Sequence, residues 1–238
     1  MTASAKPQII AIGGAALPPD LDNLLLIEYF LRQTRKRNPK VCFIGTAGGD
    51  AETGRLRFYA GFSQFSCRPS HLPLFARTPR DLDSFILEQD ALFVGGGNTR
   101  SMLAVWREWG LDALLRRAWT RGIVLGGVSA GAICWFAQGV TDSIAGPLTV
   151  LDCLGFLGGS WCPHYDSEPQ RRPTFKKLIA RGALTDGIAA DDGVALHYVG
   201  DKLLRSISCR PRARAYRVRR SVRHAVETRL PTRYLRGD

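Results

Sequence analysis

The chain has 238 residues, of which 45% are hydrophobic and 23% are charged. This composition excludes a disordered or fibrous protein and fits a single domain spanning residues 1–238. With 33 lysines and arginines against 21 acidic residues, the formal net charge is +12, which raises the question of nucleic-acid binding. Most of that excess lies in an Arg-rich segment at residues 205–238, which holds 11 arginines and two acidic residues.

Short β-branched runs alternate with longer helical patterns from the start of the chain. The predicted strands are 8–12, 40–44, 70–74, 91–94 and 123–128, and the predicted helices are 22–33, 55–66, 79–88, 99–109 and 111–121. Thr78 is the expected N-cap of the third helix, and Gly110 separates the last two. Continuous apolar strands between helices predict an α/β fold with a mostly parallel sheet covered on both faces.

The pattern changes after Gly187. Runs at 194–199 and 202–208 flank Gly200-Asp201, which predicts an antiparallel hairpin. Residues 214–222 alternate apolar and arginine side chains, which predicts an antiparallel edge strand with one solvated face. Because an edge strand can pair with a second copy, we expect a monomer or a homodimer.

Cysteine spacing and hydropathy indicate the compartment. The six cysteines form no CxxC pair, and most sit in apolar runs, which favours buried reduced thiols in a cytoplasmic protein. No apolar run approaches the ~18 residues of a membrane span. Residues 9–17 are interrupted by Gly13-Gly14, which indicates a first strand entering a glycine turn rather than a signal peptide.

Gly127-Val128-Ser129-Ala130-Gly131 matches the G-x-S-x-G pattern, with a strand before it and a helical run after it. A sharp strand-to-helix turn forces the serine into a strained conformation with its side chain projecting outwards. Ser129 is therefore a candidate nucleophile, and the N–H of Ala130 is a candidate oxyanion donor. The alternative is a small-residue turn in which Ser129 only caps the following helix.

A serine nucleophile needs a base, usually histidine, and an acid that orients it. Among the four histidines, His164 is favoured over His71, His197 and His224 because it follows an apolar, glycine-rich run and so lies where a strand would end. Spacing leaves the acid open among Asp142, Asp152, Asp166 and Glu168.

A second glycine loop, residues 95–99, follows a buried strand and opens a helix. It lacks the lysine and the spacing of a P-loop. It could bind a phosphate, or it could supply the second half of an oxyanion hole from a neighbouring βα loop.

Four motifs in order resemble the peptidase E (aspartyl dipeptidase) and cyanophycinase family of serine peptidases. They are Gly95-Gly96-Gly97-Asn98-Thr99, Gly127-Val128-Ser129-Ala130-Gly131-Ala132, Thr141-Asp142-Ser143 and Pro163-His164-Tyr165. The resemblance covers most of the chain and implies a flavodoxin-like, three-layer sandwich related to class I glutamine amidotransferases. Those amidotransferases carry cysteine at the elbow, where this chain has Ser129.

By resemblance, Ser129 is the nucleophile, His164 the base and Asp142 the acid. Backbone N–H groups of Gly96 or Gly97 and of Ala130 would form the oxyanion hole. The resemblance also assigns Asn98, Arg171 and Arg172 to substrate binding, and an arginine after the histidine is associated with an acidic substrate residue. The acids at Asp191-Asp192 could hold a substrate amine or close a turn. No metal or other cofactor is implied.

We therefore expect a cytoplasmic serine peptidase that hydrolyses short peptides, dipeptidase-like, with a preference for an acidic N-terminal residue. One alternative is an α/β-hydrolase esterase, whose distant histidine would be His197 or His224. Another is nucleic-acid binding by the Arg-rich segment, which is less favoured because only Tyr216 and Tyr234 supply aromatic rings there. No membrane partner is expected.

Overall fold

The computed structural model describes residues 6–19, 24–222 and 224–236. Its strands in these ranges are β1 Gln8–Ile12, β2 Lys40–Ile44, β3 Arg68–Leu72, β4 Ala91–Val94, β5 Val124–Val128, β6 Phe136–Thr141, β7 Thr149–Asp152, β8 Leu157–Cys162, β9 Gly187–Ala190, β10 Val194–Val199, β11 Lys202–Ser208, β12 Ala215–Arg220, β13 Ala225–Leu230 and β14 Thr232–Tyr234. The helices are α1 Leu25–Arg32, α2 Glu52–Phe62, α3 Leu82–Leu87, α4 Thr99–Glu108, α5 Leu111–Thr120, α6 Ala130–Ile133 and α7 Arg171–Ala180, with a 3₁₀ turn at Thr46–Gly48.

The first sheet has eight strands in the order β14-β11-β10-β1-β5-β4-β2-β3. The five strands from β1 to β3 in this order are all parallel, while β10 pairs antiparallel with both β1 and β11. The predicted α/β class, the parallel sheet and the 194–208 hairpin are thereby confirmed. Parallel order brings the carboxyl ends of β1, β5 and β4 side by side at one edge.

The second sheet, which the sequence analysis did not predict, has six strands in the order β13-β12-β9-β8-β6-β7. Strand β8 runs parallel to both of its neighbours, β6 and β9. Strand β12 pairs with β9 on one side and β13 on the other. The predicted edge position of residues 214–222 is therefore wrong, because the β13 strand covers that side. The Arg-rich segment is folded into both sheets.

Three apolar clusters hold these layers together. The largest joins one face of the first sheet to the helices α3–α5 and to the second sheet, and it includes the buried rings of Trp106, Trp135 and Trp161. A second packs α1 and α2 against the other face of the first sheet, around Phe30 and Phe62. The third packs α7 against the second sheet. Both faces of the parallel sheet are thus covered, as its continuous apolar strands require.

Element boundaries differ from prediction by a few residues. Helix α2 begins three residues earlier than predicted and β3 two residues earlier. Asp81, not Thr78, caps α3, because its Oδ1 accepts from the N–H of Ser84 at 2.9 Å, whereas the Thr78 hydroxyl donates to the carbonyl of Pro73. Positions 22 and 23 of the first predicted helix lie outside the described residues.

Within the described ranges, no helix is both long enough and apolar enough to cross a membrane. The six cysteines, all among the described residues, form no disulfide, and four are buried, namely Cys42, Cys134, Cys162 and Cys209. Burial raises the pKa of the Cys42 thiol to about 12, which keeps it protonated and unreactive.

Candidate active site

Ser129 occupies a strained turn between β5 and α6. Its φ of 54° and ψ of −115° lie outside the regions that a serine ordinarily adopts. The turn depends on glycine, because a Cβ at Gly127 would overlap the carbonyl of Gly131, and a Cβ at Gly131 would overlap the carbonyl of Val94. The residues around Ser129 therefore form the sharp elbow that the sequence pattern predicts, with the hydroxyl at the carboxyl edge of the first sheet.

His164 reaches this hydroxyl from the second sheet. It follows the end of β8 with a φ of 54°, and its N–H donates to the carbonyl of Gly13 at 3.1 Å. Its Nε2 lies 2.8 Å from Ser129 Oγ. Since Gly13 follows β1, which neighbours β5, this backbone bond ties the histidine loop to the strand beside the elbow.

Asp192, in the turn between β9 and β10, is the carboxylate that orients the histidine. Its Oδ1 lies 2.8 Å from His164 Nδ1, and the two side chains are about one-fifth exposed. A carboxylate only accepts, so Nδ1 carries a proton and Nε2 is left to accept from the Ser129 hydroxyl. Burial works against ionisation, but the hydrogen bond from His164 and its charge hold the pKa of Asp192 below its usual value.

Asp142 does not reach the histidine, so the acid inferred from the resemblance is corrected. Its side chain is 61% exposed and lies 3.5 Å from the guanidinium of Arg171. The physical reason is the position of β8 between β6 and β9. Asp142, after β6, contacts Arg171, whereas the turn after β9 brings Asp192 to the ring.

The other three histidines are engaged elsewhere. His197 is buried in β10, where it bonds to the hydroxyl of Tyr29 at 2.7 Å and to Gln8 at 2.9 Å, and burial lowers its pKa to about 4. His71 bonds to Tyr59, and His224 precedes β13. Among the described histidines, His164 alone contacts Ser129, so the esterase interpretation through His197 or His224 is not supported.

The glycine loop after β4 lies beside the elbow. A Cβ on Gly96 would come within 3.3 Å of the Cβ of Ser129, so this backbone lies close to the nucleophile. Gly97 has a φ of 136°, and a Cβ there would overlap the carbonyl of Ala47. Ala130 is the first residue of α6, so its N–H has no acceptor within that helix. Gly96 and Ala130 are thus both close to Ser129.

Asn98 is a helix cap, which argues against substrate binding. Its Oδ1 accepts from the N–H of Ser101 at 2.9 Å, and its Nδ2 donates to the carbonyl of Ser143 at 3.0 Å. Both ends of the amide are therefore used within the protein, where they start α4 and attach it to the loop after β6.

Arg171 is structural, because only 1% of it is exposed. Its guanidinium donates to the carbonyl of Val140 at 2.9 Å and to Glu168 at 2.6 Å, which satisfies a buried charge that would otherwise be costly. The start of α7 turns this side chain inwards. The structure therefore does not bring Arg171 to the cavity beside Ser129, where a substrate contact was expected.

Arg172 is also committed within the protein. It forms an ion pair with Glu227 of β13, and its guanidinium lies 5.0 Å from the ring centre of Tyr216 and 5.5 Å from that of Tyr165. The hydroxyl of Tyr165 donates to the same glutamate at 2.6 Å. Arg172 thus packs over the residue that follows His164, and it does not line the cavity beside Ser129.

A cavity of about 460 Å³ opens beside Ser129 and His164. Its walls are mostly glycine and apolar residues, including Leu17 and Phe43, and Arg57 of α2 lies in the lining. This volume falls in the range of small-ligand pockets. Among the described residues, no cluster of three or more histidine, cysteine or acidic side chains could hold a metal ion.

Comparison with known proteins assigns the family. The sequence model of Peptidase family S51 matches residues 9–206. The chain belongs to peptidase family S51. This confirms the resemblance drawn from the four motifs, and it identifies the protein as a peptidase.

Relatives of this S51 peptidase agree with the assignment. The chain is 52% identical over 228 residues to "Uncharacterized peptidase YgaJ" of Bacillus subtilis (strain 168), covering 96% of this chain and 99% of that protein. Among solved structures, a peptidase from an acI-B1 Actinobacterium superposes with a TM-score of 0.72 at 15% identity, covering 96% of each chain. A putative peptidase E protein from Listeria monocytogenes EGD-e gives 0.62 at 18% identity, covering 95% of this chain and all of that one. At these identities the two structures support the fold.

Proposed function

We propose that this S51 peptidase is a serine peptidase in which Ser129 is the nucleophile, His164 the general base and Asp192 the orienting acid. The supporting observation is the unbroken chain of two 2.8 Å contacts from Ser129 Oγ through the imidazole to the carboxylate. Ser129, at one end of these contacts, lies in a strained turn on the wall of a cavity of small-ligand size. A serine that only caps a helix does not require a hydrogen bond to a histidine that a carboxylate orients, whereas a catalytic serine does.

In the proposed reaction, Ser129 Oγ attacks the peptide carbonyl while His164 Nε2 takes its proton. The tetrahedral intermediate collapses when the imidazolium returns that proton to the leaving amine, which leaves an acyl-enzyme on Ser129. A water molecule, deprotonated by His164, then releases the acid product and restores the hydroxyl. Asp192 keeps Nδ1 protonated and stabilises the imidazolium throughout.

The N–H groups of Ala130 and of Gly96 or Gly97 are the proposed oxyanion donors. Gly96 is favoured by its close approach to Ser129, and Ala130 by its position directly after the nucleophile. Backbone donors held by a rigid strand end need no reorganisation as charge develops on the carbonyl oxygen.

The cavity supports short peptides as substrates, with an acidic residue next to the cleaved bond. Its volume of about 460 Å³ accommodates a small ligand. Arg57 is the one charged residue in its described lining, and a guanidinium pairs well with a carboxylate. Arg57, and not Arg171 or Arg172, is thus proposed to bind the acidic side chain. In this proposal, Arg57→Gln reduces kcat/KM for Asp-Leu more than for Asn-Leu.

The test combines turnover with covalent trapping. Wild type, Ser129→Ala and the matched control Ser101→Ala, an exposed serine of α4, are screened against a dipeptide library and against a fluorophosphonate probe that labels activated serines. We expect Ser129→Ala to lower kcat by at least about 10³-fold and to lose labelling, and Ser101→Ala to behave as wild type. Near-normal turnover by a folded Ser129→Ala protein would refute the proposal.

A further inference from the structure

The backbone of Asp192 is held on both sides by two charged side chains. Its N–H donates to Asp166 Oδ1 at 2.9 Å, and its carbonyl accepts from Arg210 Nη1 at 2.9 Å. The same Nη1 donates to Asp166 Oδ2 at 2.9 Å. We call Arg210 and Asp166 the clamp, because these three bonds close a ring around the peptide groups of Asp192.

The clamp joins three separate parts of the chain. Asp166 lies two residues after His164, in the same loop, whereas Arg210 follows the end of β11. Arg210 is itself fixed, since its N–H donates to Ser208 Oγ at 3.0 Å and its carbonyl accepts from that hydroxyl at 2.7 Å. Both partners of the bond between His164 and Asp192 are therefore attached to one ion pair.

Backbone hydrogen bonds also hold the turn in place. The N–H of Asp191 donates to the carbonyl of Arg214 at 3.0 Å, and the N–H of Gly193 donates to that of Gly14 at 2.8 Å, so backbone bonds anchor both sides of Asp192. The side chains of Arg210 and Asp166 are 42% and 31% exposed, and ion pairs this exposed stabilise a fold only slightly.

We propose that Arg210 and Asp166 are positioning residues for catalysis, which set the orientation of Asp192 and through it that of the His164 ring. The inference rests on the proposed serine mechanism. Asp166, one of the open choices for the triad acid, acts here through the backbone of the residue that takes that place. Small errors in the alignment of catalytic groups cost large factors in rate, whereas substrate binding does not depend on them.

The experiment compares kcat and KM of Arg210→Ala and Asp166→Ala with those of Arg212→Ala. Arg212 is the matched control, because it lines the same surface cavity as Arg210 but forms no bond to Asp192. We expect each clamp variant to lose about 10- to 100-fold in kcat with KM and melting temperature nearly unchanged, and Arg212→Ala to match wild type. If an alanine variant does not fold, Arg210→Gln and Asp166→Asn replace it.

Measuring Arg210→Ala in the Asp192→Asn variant distinguishes positioning of the Asp192 carboxylate from a general structural role of Arg210. If the clamp acts through the Asp192 carboxylate, adding Arg210→Ala in this background lowers the residual kcat by less than about twofold. The inference is overturned if the clamp variants keep kcat within twofold of wild type, if only KM changes, or if the loss is equally large in the Asp192→Asn background.

The two proposals fail in different ways. Full activity of Ser129→Ala would remove the serine mechanism whatever the clamp variants do. An inactive Ser129→Ala protein together with a fully active Arg210→Ala protein would leave the mechanism intact and refute the clamp alone.

Discussion

Replacing Asp192 with asparagine removes the negative charge next to His164 and keeps the volume of the side chain. The bond from His164 Nδ1 is 2.8 Å long, and the carboxylate is only 19% exposed. A hydrogen bond to a charged group contributes about 1.5–3 kcal/mol, and each 1.36 kcal/mol lost in the transition state lowers the rate tenfold. The bond alone therefore accounts for a loss of about 10- to 100-fold in kcat.

Asparagine also changes the tautomer of the ring. Its amide N–H favours a histidine with Nδ1 unprotonated, which leaves Nε2 protonated and unable to accept the proton of Ser129. The combined loss expected for Asp192→Asn is about 10²- to 10⁴-fold in kcat. The matched control is Asp142→Asn, which removes only an exposed carboxylate 3.5 Å from Arg171, so its kcat should stay within about twofold of wild type.

The assay measures kcat and KM of both variants on the best dipeptide from the library screen, with thermal melting to verify folding. Fluorophosphonate labelling of Ser129 gives a second readout that does not depend on product release. If Asp142→Asn loses as much activity as Asp192→Asn, or if Asp192→Asn turns over nearly normally, the assignment of the orienting acid is wrong.

Two further predictions concern residues next to the site. Gly14→Ala should lower kcat by at least about 10²-fold, because a Cβ at Gly14 would overlap the ring of His164, whereas Gly158→Ala, with open space around it, should have no effect on steady-state kinetics. Asp191 is 5% exposed, and burial raises its pKa to about 6, so ionisation costs stability as the pH rises from about 4 through 6. Asp191→Asn keeps an acceptor for the N–H of Arg214 and should raise the free energy of unfolding by up to about 3 kcal/mol at pH 7.5 but by little at pH 4. Urea denaturation at the two pH values checks this, and an equal effect at both would contradict it.

Local sequence predicted the parts of the molecule whose structure depends on near neighbours. Four of the five parallel strands, β1, β2, β4 and β5, follow from continuous apolar runs between helices, whereas β3 at the sheet edge is mostly polar. The hairpin at 194–208 follows from Gly200-Asp201. The elbow at Ser129 was predictable because strand, small residues and helix are contiguous within 124–133. His164 could be inferred because it directly follows a strand.

The second sheet could not be predicted in the same way. Its strands β6, β8, β9 and β12 are separated by long intervening segments, and their pairing depends on contacts that no local pattern encodes. Residues 214–222 alternate as an exposed edge strand does, yet β13 covers that edge. The alternation of apolar and polar side chains along a strand indicates which face of the strand is buried. It does not indicate whether another strand pairs with its edge.

The sequence by itself determined the nucleophile and the base as candidates, because each is specified by its own short segment. Only the tertiary structure distinguishes Asp142 from Asp192, since both follow strands that flank β8. Asp192 lies 2.8 Å from His164, whereas Asp142 is exposed beside Arg171. The acidic turn Asp191-Asp192-Gly193, which follows a buried strand, was the sequence feature that pointed to Asp192. The sequence left open whether its acids hold a substrate amine or close a turn. Arg171 turned out to be buried for the same reason: the orientation of α7 against the second sheet, not the local charge pattern, sets which arginine points inwards.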